Sequence, residues 1–299
     1  MKILLTGITG FVGSSLLESF PDTDVELVAL TRKIVPIENV KQYQIESYNG
    51  NHDWKAIFSD VDVVIHLAAK AHIQCANADE FYQANVEMTE KLVEIALENE
   101  VKKFIFTSSI GVIGDRTNGV PFNEETILKP HSAYATSKLQ AERRIKSLVA
   151  GANMSFVIIR PPLIYGKRAP GNIATILKLI KSSIPLPFKG IRNKRSFIHI
   201  DNLVKVIHEV VMNDKYNNKT IHCADNIDLS TPDFFRVIAK INDEKLNMIW
   251  FFPKFIQFVV SITGKKRMKN SLFMDLQVKN SKELEDVKLP FHPREFLEK

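Results

Sequence analysis

Residues 2–16 read KILLTGITGFVGSSL. Ile3, Leu4 and Leu5 form a short apolar run, and Gly7, Gly10 and Gly13 follow it at G-x-x-G-x-x-G spacing. A helical pattern then runs from Phe11 to Phe20. This order predicts a buried strand, a tight turn and a helix. The first glycine permits the turn, the second lets backbone approach a pyrophosphate, and the third lets helix pack on strand. The helix start offers unpaired N–H groups and the positive end of its dipole to an anion. Taken alone, the pattern also fits a plain strand–turn–helix.

Strand and helix patterns alternate from there. Val25–Leu30 reads as a second strand and Val61–Leu67, VDVVIHL, as a buried parallel strand, because such strands are continuous apolar runs. Residues 79–99 read as one amphipathic helix, Lys103–Thr107 as a strand, Ala133–Val149 as a helix and Phe156–Ile159 as a strand. The alternation predicts an α/β fold with a doubly wound parallel sheet and right-handed crossovers. After Arg160 the texture changes: prolines stand at 161, 162, 170, 185 and 187 and glycines at 166, 171 and 190. A smaller C-terminal lobe suits that stretch. FIHI (197–200) and TIHCA (220–224) read as returns to the sheet. The expected division is therefore 1–162 with about 197–225 as a nucleotide-binding domain, and 163–196 with 226–299 as a substrate lobe.

The chain has 299 residues, 45% hydrophobic and 25% charged, which excludes disordered, collagen-like and disulfide-framework classes. Its two cysteines, Cys75 and Cys223, have no Cys-x-x-Cys or clustered His around them, so no metal is expected and a reducing, cytoplasmic compartment fits. Lys+Arg number 40 against 34 Asp+Glu, and much of the +6 excess sits in GKKRMKN (264–270). No aromatic-plus-basic platform appears, so no nucleic-acid partner is expected. The apolar part of MKILLTG is too short for a signal peptide. The stretch 246–266, LNMIWFFPKFIQFVVSITGKK, is apolar, aromatic and followed by bases, but Pro253, Lys254 and Gln257 interrupt it. It falls short of the roughly 20 apolar residues a membrane span needs. A buried or subunit-facing helix pair is the expectation, with a helix lying on a membrane surface as the alternative.

The second strand ends VALTRK, with no acid to hold the ribose hydroxyls of NAD. Arg32, beside Lys33, could pair a 2′-phosphate, which favours NADP(H) over NAD(H); a solvent-facing arginine is the plain alternative. SAYATSKLQAE carries Tyr134 and Lys138, and of six tyrosines only Tyr134 has a lysine four residues on. Helical spacing puts the two on one face, where the ammonium can lower the phenol's pKa for proton exchange with an alcohol or ketone. Ser109, after the 103–107 strand, is a candidate third member, while turn capping is the alternative role for Ser108 and Ser109.

In this order and spacing, the glycine loop, HLAA (66–69), Asn85, TSS (107–109) and Tyr134-x-x-x-Lys138 resemble the extended short-chain dehydrogenase/reductases that act on nucleotide-sugars. The resemblance covers essentially the whole chain. It implies a Rossmann domain holding NAD(P) through Gly7, Gly10, Phe11, Val12, Gly13, Ala68, Ala69, Thr107 and Pro161, with Asn85 supporting the site. It implies that Ser109 and Tyr134 polarise the reacting oxygen and that Lys138 also holds the nicotinamide ribose. In the C-terminal lobe it assigns Asn172 and Arg195, in RSFIHIDNL (195–203), to a nucleotide diphosphate and Phe188, in PLPFKG (185–190), to the uracil. A homodimer built on a helix bundle that includes the Tyr134 helix is the family's frequent assembly. Many 4-epimerases of this group carry Asn two residues after the position of Arg160, where this chain has Pro162.

The family's 4,6-dehydratases place an acidic pair after this strand, in Thr-Asp-Glu; here Thr107-Ser108-Ser109 stands instead. The 3,5-epimerase/reductases place Cys where Ile110 stands. Redox at C4 of a UDP-hexose remains. The absent acid after the second strand, Pro162 and the run RPPLIYG…GN…PLPF…RSF favour a 4-reductase of a UDP-4-keto-6-deoxy-N-acetylhexosamine, serving surface-polysaccharide synthesis. A UDP-glucose or UDP-N-acetylglucosamine 4-epimerase is the alternative. A 3β-hydroxysteroid-type dehydrogenase and a non-catalytic NAD(P) binder stand behind these two.

Overall fold

Continuous apolar runs set the frame. The computed structural model describes residues 1–20, 25–37, 40–48, 50–71, 77–262 and 266–297; Cys75 and part of the 246–266 stretch lie outside them. Strand β1 (Lys2–Thr6) leads into helix α1 (Phe11–Ser19), β2 (Glu26–Thr31), β3 (Lys41–Gln44), α2 (Trp54–Phe58) and β4 (Val63–His66). Helices α3 (Ala78–Tyr82) and α4 (Met88–Glu98) are joined by a π-helical turn over Gln83–Glu87, followed by β5 (Lys103–Thr107), α5 (Ala133–Val149) and β6 (Ser155–Arg160). Then come β7 (Leu163–Tyr165), α6 (Asn172–Lys181), β8 (Arg195–His199), α7 (Ile200–Met212), β9 (Lys219–His222) and β10 (Asp228–Leu229). Helices α8 (Thr231–Ile241), α9 (Pro253–Ile262) and α10 (Lys266–Phe273) complete the order.

The chain divides into two compact units. The first holds Met1–Val112, Lys129–Arg160 and Val206–Ile221; the second holds Ile113–Leu128, Pro161–Lys205 and His222–Lys299. The first is built on a seven-stranded sheet of order β3-β2-β1-β4-β5-β6-β9. From β3 to β6 every neighbouring pair is parallel. Ile3, Leu4, Leu5, Val64, Ile65, Phe104, Ile105, Val157 and Ile158 are all fully buried, as central strands covered on both faces must be. The order reverses at β1: the chain passes outward to β2 and β3, then crosses back to β4. Such a reversal opens a crevice outside the carboxyl ends of β1 and β4, where ligands of doubly wound sheets bind.

The second unit carries a three-stranded sheet, β10-β8-β7. Its core centres on Tyr165, whose hydroxyl donates to Asp225 at 2.7 Å, and on Phe197 and Phe234, stacked at 3.7 Å. Asp225 also accepts from the His199 backbone at 2.8 Å and from Asn202 at 2.7 Å. Burial nevertheless pushes its carboxyl up to about 6.

Two expectations change and a third is refined. The FIHI segment does not rejoin the large sheet; β8 pairs with β7 and β10 in the second unit. A buried apolar run identifies a strand but not its sheet. The helix expected over 79–99 runs without a gap from Ala78 to Glu98, with a π turn inside it over Gln83–Glu87. The stretch expected to form a buried or subunit-facing helix pair is not buried within the chain: Trp250, Phe252, Phe255 and Phe258 each show more than half their surface. It holds α9, and among the described residues no helix is long and apolar enough to cross a membrane.

Candidate active site

The turn after β1 is tight in a way only glycine allows. Gly7 has φ +77°, and a Cβ there would fall 2.7 Å from the Ala68 backbone nitrogen. A Cβ on Gly13 would fall 2.2 Å from the Gly7 carbonyl oxygen. The loop is thus pressed against the end of β4 and against its own helix. Helix α1 begins at Gly10 with no side-chain cap and no acid in its first turn. Its first N–H groups therefore face outward with the positive dipole end, the arrangement an anionic diphosphate needs. Phe11 and Val12 are half-buried in that first turn.

A cavity of about 620 Å³ opens over this loop. Gly7, Gly10, Ala68 and Ala69 line it, and so do Arg32 at the end of β2 and Glu46 just beyond β3. Its volume and its glycine cradle fit the adenosine diphosphate half of a dinucleotide. Arg32 supplies the cation that could meet a 2′-phosphate, while Glu46 is an acid on the same wall that the sequence reading did not single out. It follows a polar edge strand, KQYQ, that lacks an apolar signature. A cation and an acid thus face the same cavity. Replacing Arg32 with Asp is expected to weaken NADP binding more than NAD binding, because it sets a second carboxylate against the phosphate. Titration of both dinucleotides reads the effect, and equal losses would take Arg32 out of cofactor choice.

Beside the cavity, the loop after β4 is fixed by Asn85. Its side chain accepts from the Lys70 N–H at 2.8 Å, donates to the Lys70 carbonyl at 3.0 Å and donates to the Ser137 hydroxyl at 3.0 Å. Ser137 in turn donates to the Tyr134 carbonyl at 2.8 Å. Asn85 sits in the π turn, whose extra residue per turn re-aims a side chain; such turns are frequent at functional sites. One buried amide thus ties the cofactor loop to the helix of Tyr134 and Lys138. His66, in the same HLAA segment, bonds Thr6 and Thr89 through its two ring nitrogens. Burial and then the nearby Lys138 cation hold it down at about 3, so it is a neutral, satisfied core histidine.

Ser132 caps α5 by accepting from Ala135 N–H, and the helix presents Tyr134 and Lys138 in the first unit. The Lys138 ammonium donates to the Thr107 carbonyl at 2.8 Å and lies 4.3 Å from the centre of the Phe106 ring. Burial pushes Lys138 down to about 7, against the pull of Glu142, and pushes the Tyr134 phenol up to about 12. Desolvation alone sets the phenol's shift, so the expected lowering by Lys138 does not appear. The Thr107 hydroxyl is buried with no partner among the described residues. Ser109 accepts from the Gly111 N–H at 3.1 Å, so its turn-capping role is realised here. His131, which the sequence reading passed over, lies beside it, with Nδ1 3.1 Å from the Gly111 carbonyl.

A buried ion pair backs this helix. Glu142 accepts from Arg160 Nε at 3.0 Å and Nη2 at 2.6 Å, and from the Ser108 hydroxyl. Both side chains are at most 5% exposed. Glu142 stands four residues after Lys138 on the buried face of α5, and an acid on that apolar stripe was the available signal.

A family model described as "NAD dependent epimerase/dehydratase family" matches residues 3–224. The chain belongs to that family. It is 35% identical to a UDP-glucose 4-epimerase of Vibrio cholerae over 80% of this chain and 75% of the relative. It is 28% identical to an N-acetyl-α-D-glucosaminyl-diphospho-ditrans,octacis-undecaprenol 4-epimerase of Escherichia coli O157:H7 over 82% of this chain and 73% of the relative. A crystal structure of a UDP-glucuronic acid 4-epimerase from Bacillus cereus in complex with NAD matches the fold with TM-score 0.78 at 20% identity, over 99% of this chain and 96% of that one. This epimerase/dehydratase chain is thus an enzyme of a nucleotide-sugar family. Both named sequence relatives are 4-epimerases, whereas the sequence reading favoured a 4-reductase.

The remaining assigned residues lie in the second unit. Pro161 is buried just after β6. Asn172 is exposed at the first position of α6, after Gly171 at φ +65°. Phe188 is half-buried and meets the Phe235 ring edge-on at 5.3 Å. Arg195 donates through Nη1 to the carbonyls of Met274 at 2.8 Å and Asn270 at 3.1 Å. Burial lowers it to about 10, opposed by Asp115 and Asp275. The alternative partner weighed for it, Asp201, lies instead by His199 at 3.5 Å. Among the described residues no group of three or more His, Cys, Asp or Glu could hold a metal.

Proposed function

We propose that the enzyme is a 4-epimerase of a UDP-linked hexose, UDP-glucose or UDP-N-acetylglucosamine, and that it serves surface-polysaccharide synthesis. The observation that carries the reading is Lys138, four residues after Tyr134 on α5, anchored on the Thr107 carbonyl at the carboxyl end of β5, where Ser108 and Ser109 stand in place of the acids a dehydratase needs. The 4-epimerase names of the two relatives support it over the 4-reductase. The bound dinucleotide would accept a hydride from C4 and give it back, so the reaction has no net redox change. The glycine cradle and Arg32 hold that dinucleotide.

The residues of the chain handle the proton. Tyr134 Oη takes the C4 hydroxyl proton as the hydride leaves and returns it when the hydride comes back on the other face. A phenol held at about 12 keeps its proton at neutral pH, so the base form requires positive charge nearby. Lys138, anchored on Thr107, supplies one such charge in its protonated form. Ser109 polarises the same oxygen, and Asn85 keeps α5 in register with the cofactor loop. Asn172, Phe188 and Arg195 serve the nucleotide. With UDP-glucose or UDP-N-acetylglucosamine and a trace of dinucleotide, the galacto isomer should accumulate to equilibrium without net change in nicotinamide absorbance. Stoichiometric NADPH loss on a UDP-4-keto-6-deoxy sugar, with no isomer formed, would overturn the reading in favour of the reductase.

Arg195→Ala tests the nucleotide side. Loss of a charge-assisted hydrogen bond costs about 1.5–3 kcal/mol, so inhibition by UDP should weaken roughly tenfold or more. The melting temperature should fall as well, because two carbonyls lose their donor. A fall in melting temperature with unchanged UDP inhibition would leave Arg195 an anchor of α10 and nothing else.

A further inference from the structure

We propose that the second unit carries a docking surface for an anionic lipid bilayer, formed by residues 249–258 of the segment before and within α9. This inference rests on that surface alone and not on the sugar-nucleotide reading. Six large apolar side chains lie exposed in ten residues: Ile249 45%, Trp250 56%, Phe251 38%, Phe252 63%, Phe255 56% and Phe258 62%. A soluble surface rarely gathers such a run, and one that it does gather serves contact.

The platform is held in shape by its backbone. Leu186 N–H donates to the Asn247 carbonyl at 3.0 Å, Ile249 N–H to the Leu186 carbonyl at 3.0 Å and Lys189 N–H to the Ile249 carbonyl at 3.3 Å. A Cβ on Gly190 would fall 2.9 Å from the Phe251 carbonyl oxygen and 3.2 Å from Trp250 Nε1, so the 186–190 loop lies close beneath. Trp250 and Phe252 meet at 4.7 Å, and Phe251 and Phe255 at 5.7 Å. Pro253 then starts α9, which puts Phe255 and Phe258 three apart on one face.

Charge selects the occupant. From Lys245 to Met274 the sequence has six Lys or Arg and no Asp or Glu, a balance of 6 − 0 = +6, equal to the whole chain's 40 − 34 = +6. The neighbouring stretch 182–200 also lacks acids and exposes Lys189, Arg192 and Lys194, while Lys254 is exposed on α9 itself. The acids just upstream are engaged, Glu244 with Lys181 at 3.3 Å and Asp243 with Lys167 at 3.7 Å. A second copy packed on this face by two-fold symmetry would set the cations against their own copies. A layer of anionic headgroups over hydrocarbon satisfies both features: the rings enter the interface, where Trp and Phe are favoured, and the bases stay at the phosphates. The ten-residue α9 is only about 15 Å long, half a hydrocarbon core, so it lies on the bilayer and does not cross it.

The test uses the full chain and vesicles of phosphatidylethanolamine with one quarter phosphatidylglycerol, against pure phosphatidylcholine. Sedimentation should show partition onto the anionic vesicles at least tenfold stronger than onto the neutral ones. The emission of Trp250 should move to the blue on binding, and Trp250→Phe should remove that shift. A triple variant, Phe252→Ser with Phe255→Ser and Phe258→Ser, should weaken partition at least tenfold with turnover and melting temperature unchanged. Absence of wild-type partition, or partition indifferent to the triple change, overturns the proposal. So does light scattering that finds a dimer which the triple variant dissociates, since a second copy would then be the occupant.

Discussion

Tyr134→Phe is expected to lower turnover by about 10² to 10⁴, the usual contribution of one general acid–base group. Dinucleotide affinity should stay nearly unchanged, because Tyr134 does not line the cavity over the glycine loop. The fold should tolerate the change as well: Phe keeps the ring that meets Phe81 edge-on at 6.2 Å, and the backbone carbonyl that accepts from Ser137 is untouched. Turnover measured at saturating UDP-sugar, beside a titration of dinucleotide, reads both halves. A loss smaller than tenfold would remove Tyr134 from the proton path. The direction of the pKa shifts sharpens the expectation. Burial raises the phenol to about 12 and lowers Lys138 to about 7, so burial alone does not prepare either group for the proposed role.

Much of this was legible because some residues answer to a single local requirement. Gly7 and Gly13 are such cases: positive φ or a Cβ-free approach excludes other side chains whatever the rest of the fold does. The boundaries of β5 and α5 match the sequence to the residue: Lys103 and Thr107 bracket the apolar Phe104–Phe106, and Ser132 caps the helix that opens at Ala133. Other features depend on partners distant in sequence. β3 is a polar edge strand with half-buried side chains, so it carries no apolar signature. The π turn at Asn85 adds one residue to a helix without disturbing its amphipathic look. For the aromatic stretch at 249–258 the sequence leaves burial, a subunit face and a membrane surface open, because hydropathy measures how apolar a segment is and says nothing of what covers it. The site divides in the same way. Tyr134 and Lys138 are spaced within one helix and could be found, whereas Glu142 takes its meaning from Arg160 on β6 and Ser108 after β5.

Glu142→Ala is expected to cost about 3–5 kcal/mol, because it strands the Arg160 guanidinium in a site where both side chains are at most 5% exposed. For a chain of this size that corresponds to a melting temperature lower by roughly 10 °C. The Ser108 hydroxyl loses its acceptor in the same step. Glu142→Gln should fall between wild type and Ala: its amide oxygen can still accept from one arginine nitrogen, but its NH₂ faces the other. The cause can be separated from simple loss of packing by removing both charges. Glu142→Leu with Arg160→Met should be markedly more stable than Glu142→Leu alone, since no buried charge is left without a partner. Additive losses across that cycle would mean that the two residues act only as filler. A strong coupling, read together with intact turnover in Glu142→Gln, would assign the pair to holding α5 and β6 together beneath Lys138, and would leave proton transfer to Tyr134.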